Sequence, residues 1–199
     1  MSFTIRHATP HDHIALEEIE RAADRLLVER FDAEAWPPPT TDAEREGAPG
    51  FVLVAAPSSP VDDEQVDHTP PIGFVQVLEV DDQAHLEQLS VHPEHGRQGI
   101  GRALVLAAQE EARRRGYSRL TLRTYADVPW NAPFYRRCGF EESEPDTDFL
   151  SALVAVEERL ALPAHGRRIQ MTALLGSAGT AGFTRGSTGS LGPRTHLVP

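Results

Sequence analysis

Apolar and polar positions alternate with a period of two along residues 3–9, FTIRHAT, with Phe3 and Ile5 on one side, which predicts a strand. The period then lengthens. Over residues 10–31 the apolar positions are Ile14, Leu16, Ile19, Ala22, Ala23, Leu26 and Leu27, a helical spacing opened by Pro10 and Asp12. Consecutive prolines make residues 36–50 a loop or a broken helix. Apolar runs at 51–56, 72–80 and 84–91 predict three strands, the last two antiparallel neighbours. The acidic, proline-rich stretch 57–71 between them reads as a mobile hairpin connection. A helix follows Gly99 and Gly101 and ends at RRRGY, where cations suit the helix dipole and Gly116 is a ready cap. Beyond it come a strand at 118–125, a short helix within 130–140 turning at Gly139, a helix at 148–162 and a strand at 167–175. The strand–helix–strand unit 84–125 requires a parallel crossover. The expected fold is therefore a mixed α/β, largely antiparallel sheet with one central parallel crossover and helices on both faces. It forms a single domain over residues 3–175, followed by a Gly/Ser/Thr-rich tail, 176–199, expected to be disordered.

Composition narrows the function. The chain has 199 residues and a net charge of -11, and it lacks the basic face that a nucleic acid or an anionic membrane requires. The acidic balance suits solubility and permits a cationic substrate. A single cysteine, Cys138, excludes an intrachain disulfide framework and reads as a packing residue. The N-terminal sequence has no secretory pattern, and no apolar run is long enough to cross a bilayer, so the cytoplasm is the expected location. His92 and His95 flank Pro93 and Glu94 in a loop, and no metal site is expected there.

The stretch EHGRQGIGRALV, residues 94–105, carries the chemistry. Glycine loses more backbone entropy on folding than any other residue, so two of them at a helix mouth need a reason. A strand feeding a glycine-rich turn that opens a helix presents unpaired N–H groups and a positive dipole end, which suit a phosphate. Arg97 and Arg102 add charge, and Gln98 a neutral donor. The stretch is not a P-loop, for it lacks GK[ST], nor a dinucleotide fingerprint, for it lacks the third glycine. By spacing alone, glycines used only for a left-handed turn remain equally open. On the preceding strand, AHLEQLSV, alternation places His85, Glu87, Leu89 and Val91 on one face and Leu86, Gln88 and Ser90 on the other.

The span LSVHPEHGRQGIGRALVLAAQEEARRRGYSRLTLRT…NAPFYRRCGF resembles the GNAT N-acetyltransferase superfamily, densely over residues 84–140 and thinly before residue 70. The resemblance implies acetyl-CoA as cofactor. The backbone of Gln98, Gly99, Ile100, Gly101 and Arg102 would hold its pyrophosphate, with Arg97 beside them. The strand end Leu89, Ser90 and Val91 would pair with the pantetheine arm, and Asn131 would bond that arm or cap its helix. Gly96 stands where the family has Arg or Gln, a place that Arg97 or Gln98 can fill. The strand is also similar to that of arylalkylamine N-acetyltransferases, His-Leu-His-x-Leu-x-Val, whose histidines accept protons. Here these positions are His85 and Glu87, and either or both can serve as base. Tyr135 in APFYRRCGF is the matching acid, its phenol of pKa near 10 suited to a thiolate of pKa roughly 8.5 or above. Tyr125, Asp127 and Trp130 are candidates for the acceptor pocket. The implied function is direct acetyl transfer to a primary amine, small or peptidyl, in a ternary complex. A non-catalytic acyl-CoA sensor is the alternative. Many relatives are dimers, and a homodimer remains open.

Overall fold

The computed structural model describes residues 2–58 and 69–176. The expected tail, and most of the connection after residue 57, lie outside the described residues. Seven strands form one sheet: β1 (Phe3–His7), β2 (Gly50–Pro57), β3 (Gly73–Val80), β4 (Gln83–Val91), β5 (Arg119–Tyr125), β6 (Glu141–Ser143) and β7 (Arg168–Leu174). Their order is β1-β2-β3-β4-β5-β7-β6. Every neighbouring pair is antiparallel except β4–β5, which is parallel. The helices are α1 (His13–Phe31), α2 (Asp42–Gly47), α3 (Ile100–Arg114), α4 (Ala132–Arg137) and α5 (Asp148–Arg159). The mixed α/β sheet and its crossover thus stand as expected. Of the loop or broken helix expected over residues 36–50, the structure forms α2, whose signal is a capping box: Thr41 and Glu44 satisfy each other's backbone N–H groups. The sequence reading missed the three-residue β6.

The main core fills one face of the sheet. Val75 and Val77 of β3, Leu120 and Leu122 of β5 and Met171 of β7 meet Ile100, Leu104, Val105 and Ala108 of α3, with Ala132 and Tyr135 of α4. The strand residues between them point to the opposite face. There Phe74 and Val54 pack on Leu16 and Ile19 of α1. On the same face, Glu157 of α5 bonds Arg123 of β5 and Arg168 of β7. Asp12 sits at the start of α1 without capping it; its carboxylate instead takes Arg6 and the N–H and hydroxyl of Thr9.

Two irregularities in β4 shape the middle of the sheet. β4 pairs with β5 only over Ala84–Leu120, His85–Thr121 and Leu86–Leu122, after which the strands part and leave a wedge. At the same level Gln76 of β3 faces Gln88 while Val77 faces Leu86, so Glu87 is an extra residue, a β-bulge. The bulge corrects the alternation expected from sequence. Leu89 and Val91 pack with Leu86 against the main core, whereas Gln88 bonds Ser90 on the side of His85 and Glu87.

Candidate active site

The loop before α3 shows why its glycines are there, and the two serve different ends. Gly99 holds the N-cap position with φ 83°, left-handed, and Arg97 before it has φ 59°. A Cβ on Gly99 would meet nothing within 4 Å, so its glycine is needed for backbone shape. Gly101 is different. A Cβ there would stand 3.6 Å from Phe134, 3.7 Å from Val91 and 3.9 Å from Leu89. The first turn of α3, the end of β4 and α4 therefore converge on one point. No side chain caps α3, so its first-turn N–H groups remain for a ligand. Beyond Leu86 the β5-facing edge of β4, from Glu87 to Val91, has no strand partner.

Asn131 occupies the N-cap of α4, and its carbonyl accepts from Phe134 and Tyr135. Its side chain does not cap. The amide Nδ2 is buried and has no partner among the described residues. Tyr135, the fourth residue of α4, is 7% exposed and makes edge contacts with Phe134 and Phe140. Burial, reinforced by the Cys138 sulfur, pushes its phenol above the ordinary value, against the pull of Arg168. Cys138 is itself buried, with its thiol raised by that burial, as a packing residue would be.

His85 and Glu87 face the α1 side. His85 is wholly buried, with Phe149 of α5 edge-on at 5.7 Å. Its Nδ1 lies 2.9 Å from the Thr121 hydroxyl, which donates to the Ala84 carbonyl at 3.3 Å. A hydroxyl that donates there must accept from the ring, so the proton sits on Nδ1 and Nε2 is bare. Burial, with Arg123 and Arg168 nearby, lowers the imidazole pKa to about 3, so the ring is neutral. Glu87 Oε2 stands 3.8 Å from Nε2, and neither carboxylate oxygen has a hydrogen-bond partner among the described residues. Burial drives the Glu87 pKa well above the usual carboxylate range; Glu20 and Glu157 push the same way and Arg168 opposes them. With His85 neutral, the contact is not an ion pair.

The sequence reading missed Arg168. This buried guanidinium, bound to Glu157 at 2.6 Å, acts electrostatically on His85, Glu87 and Tyr135 together. The reading also missed two acids on α1. Glu20 is buried against Arg45 at 2.5 Å and the Thr40 N–H. Asp24 is 5% exposed, and its Oδ2 has no partner among the described residues. Burial, then Glu20, pushes Asp24 up to about 8. A carboxylate raised in the folded state contributes stability that is whole below its unfolded pKa and lost as pH rises through the folded one. Asp24→Asn should therefore flatten the loss of stability between about pH 4 and 8, and raise stability at pH 8 by about 2 kcal/mol. Denaturant melts across that range check this.

The expected acceptor aromatics are arranged otherwise. Tyr125 is buried against Phe31 and donates to the Leu162 carbonyl at 3.2 Å. Trp130 is 45% exposed beneath the Arg30 guanidinium, and Asp127 is exposed. On the α1 side the charge acting on Glu87 is that of Glu20, and Asp24 is buried one turn further along the helix.

A splayed parallel strand pair, a bulge at the splay and an uncapped glycine-rich helix start meet at one place in the sheet. Residues 15–140 match the model of the Acetyltransferase (GNAT) family, and the chain belongs to that family. Solved structures share its fold. The ribosomal-protein-S18-alanine N-acetyltransferase from Escherichia coli aligns at TM-score 0.58 and 23% identity, covering 92% of this chain and 100% of its own. The PaiA N-acetyltransferase from Thermoplasma acidophilum, solved with coenzyme A, aligns at 0.59 and 18%, covering 87% and 99%. A nourseothricin acetyltransferase aligns at 0.58 and 24%, covering 88% and 100%. Among the described residues no helix is long and apolar enough to cross a membrane.

Proposed function

We propose that the chain transfers the acetyl group of acetyl-CoA directly to a primary amine bound on the α1 side of the wedge. The observation that carries the reading is the pairing of a bulged, buried and unpartnered Glu87 with the open edge of β4 beside it. The residues fit coenzyme A. The first-turn N–H groups of α3, from Ile100 to Arg102, with Gln98 and Gly99 before them, would hold the pyrophosphate. Arg97 adds charge. Leu89, Ser90 and Val91 offer backbone to the pantetheine arm, and Asn131 offers its orphaned amide. Acetyl-CoA supplies the acetyl thioester.

The protein's own groups then divide the proton work. An ammonium is no nucleophile, so the acceptor must lose a proton. Glu87, with its raised pKa, is matched to take it. His85, neutral with Nε2 bare, accepts a hydrogen bond from the amine or from protonated Glu87 and holds the carboxyl in place. Tyr135 gives its proton to the departing sulfur. The single cysteine, Cys138, is unsuited to form an acetyl-enzyme, since its thiol is buried and raised.

Thiol release from acetyl-CoA, followed across a panel of amines, tests the reading. Release should require an amine, and Tyr135→Phe should cut kcat by roughly 100-fold while acetyl-CoA affinity holds. Tight acetyl-CoA binding without release would favour a sensor. Unchanged turnover in Tyr135→Phe would remove the acid role.

A further inference from the structure

Helix α1 crosses the sheet obliquely. Leu16 and Ile19 lie on Val54 of β2 and Phe74 of β3. Glu20 reaches β3 through Arg45, whose guanidinium bonds Gln76 at 2.8 Å. Leu27 and Phe31 lie on Tyr125 at the end of β5. Asp24 is one turn after Glu20 and almost one before Leu27, so α1 carries it over β4 and the wedge.

Asp24 has no structural employment there. Its Oδ2 is buried without a hydrogen-bond partner. The charge acting on it is Glu20, of its own sign. Arg45, the cation nearby, is consumed by Glu20, Gln76 and the Thr40 carbonyl. Arg123 and Arg168 are bound to Glu157. Glu20 also acts on Glu87, so its charge bears on two acids with buried oxygens that have no partner among the described residues, one on α1 and one on the bulge. A buried carboxyl without a partner is costly and needs an explanation, and a cation brought by a ligand is one that the chemistry supplies.

We propose that Asp24 seats a second ammonium of the acceptor, which is thus an aliphatic diamine, free or as part of a larger molecule. Glu87 receives the reacting nitrogen and Asp24 the distal one. The proposal rests on the N-acetyltransferase reading for the role of Glu87. The seat itself is a binding property and is tested as one.

The test is calorimetric titration of the full chain, with coenzyme A present, using α,ω-diamines from 1,4-diaminobutane to 1,8-diaminooctane. Each diamine is compared with the n-alkylamine of the same length. A charge-assisted hydrogen bond in a buried seat should favour the best diamine over its monoamine by roughly 10- to 100-fold. In Asp24→Asn that ratio should fall to about one. In Asp24→Glu, which extends the carboxylate by one methylene, the preferred diamine should shorten by about one carbon, an effect no structural role would produce. The seat is refuted if no diamine binds better than its monoamine, or if Asp24→Asn keeps the preference. Thiol release in the same samples reports the parent reading separately. A diamine preference without release establishes the seat and removes acetyl transfer.

Discussion

Glu87→Gln should lower kcat for amine-dependent thiol release by about a thousandfold, the largest loss expected from any single change in the site. The physical case rests on what each proton transfer demands. An acceptor amine is almost wholly protonated at neutral pH, and without a base no lone pair exists to attack. The leaving thiolate needs less help, for its pKa of roughly 8.5 makes it tolerable unprotonated, so Tyr135→Phe should cost less. The pH profile separates a base from a merely polar neighbour. Burial raises the Glu87 pKa, and a base works when deprotonated, so the wild-type rate should climb as pH rises through that raised value. Glu87→Gln should lose this limb. The variant replaces a buried carboxyl that has no hydrogen-bond partner, so its melting temperature should be equal or higher. An activity loss with a lowered melting temperature and an unchanged pH profile would count against the assignment.

Gly101→Glu should abolish coenzyme A binding, raising Kd by at least about a hundredfold, while leaving the fold intact. Three features combine. The Cβ position at residue 101 is at ordinary contact distance from Phe134, Val91 and Leu89, so the backbone tolerates a side chain. Residue 101 is the second residue of α3, where an acidic side chain favours the helix dipole, and replacing glycine within a helix recovers about 1 kcal/mol. Yet on the proposed reading the same carboxylate would occupy the place of an incoming phosphate and repel it. Calorimetry with coenzyme A, alongside thermal melts, should show a protein as stable as wild type and blind to the cofactor. Gly101→Ala, with no charge and little bulk, should bind nearly normally. Micromolar affinity in Gly101→Glu would show that the pyrophosphate does not sit at this helix start.

Much of this was legible in the chain itself. The alternation at residues 3–9, 72–80 and 84–91 and the helical spacing at 10–31 and 148–162 correspond to elements of the structure within a few residues. Such periods report which side of a local element is buried, and local elements are set by neighbours in sequence. The glycine stretch before α3 was legible for the same reason: a helix start and a left-handed N-cap are local. The two acids on α1 were also within reach, since Glu20 and Asp24 fall in the apolar stripe with Leu16, Ile19 and Leu27, where a charge needs a partner.

Tertiary structure alone decided the rest. The bulge at Glu87 is a mismatch of register between β3 and β4, a property of two strands, so simple alternation put Leu89 and Val91 on the wrong face. Arg168 comes from the last strand, far in sequence from His85, Glu87 and Tyr135, and only the order β4-β5-β7 brings it near them. Asn131 looked like a cap or a ligand contact, and only the packing shows that it holds the N-cap position of α4 while its side-chain amide does not cap. The sequence by itself determined the elements and the glycine mouth of the site. Pairing across the sheet determined which side chains are buried together without partners, because desolvation and electrostatic coupling depend on distance in space and not along the chain.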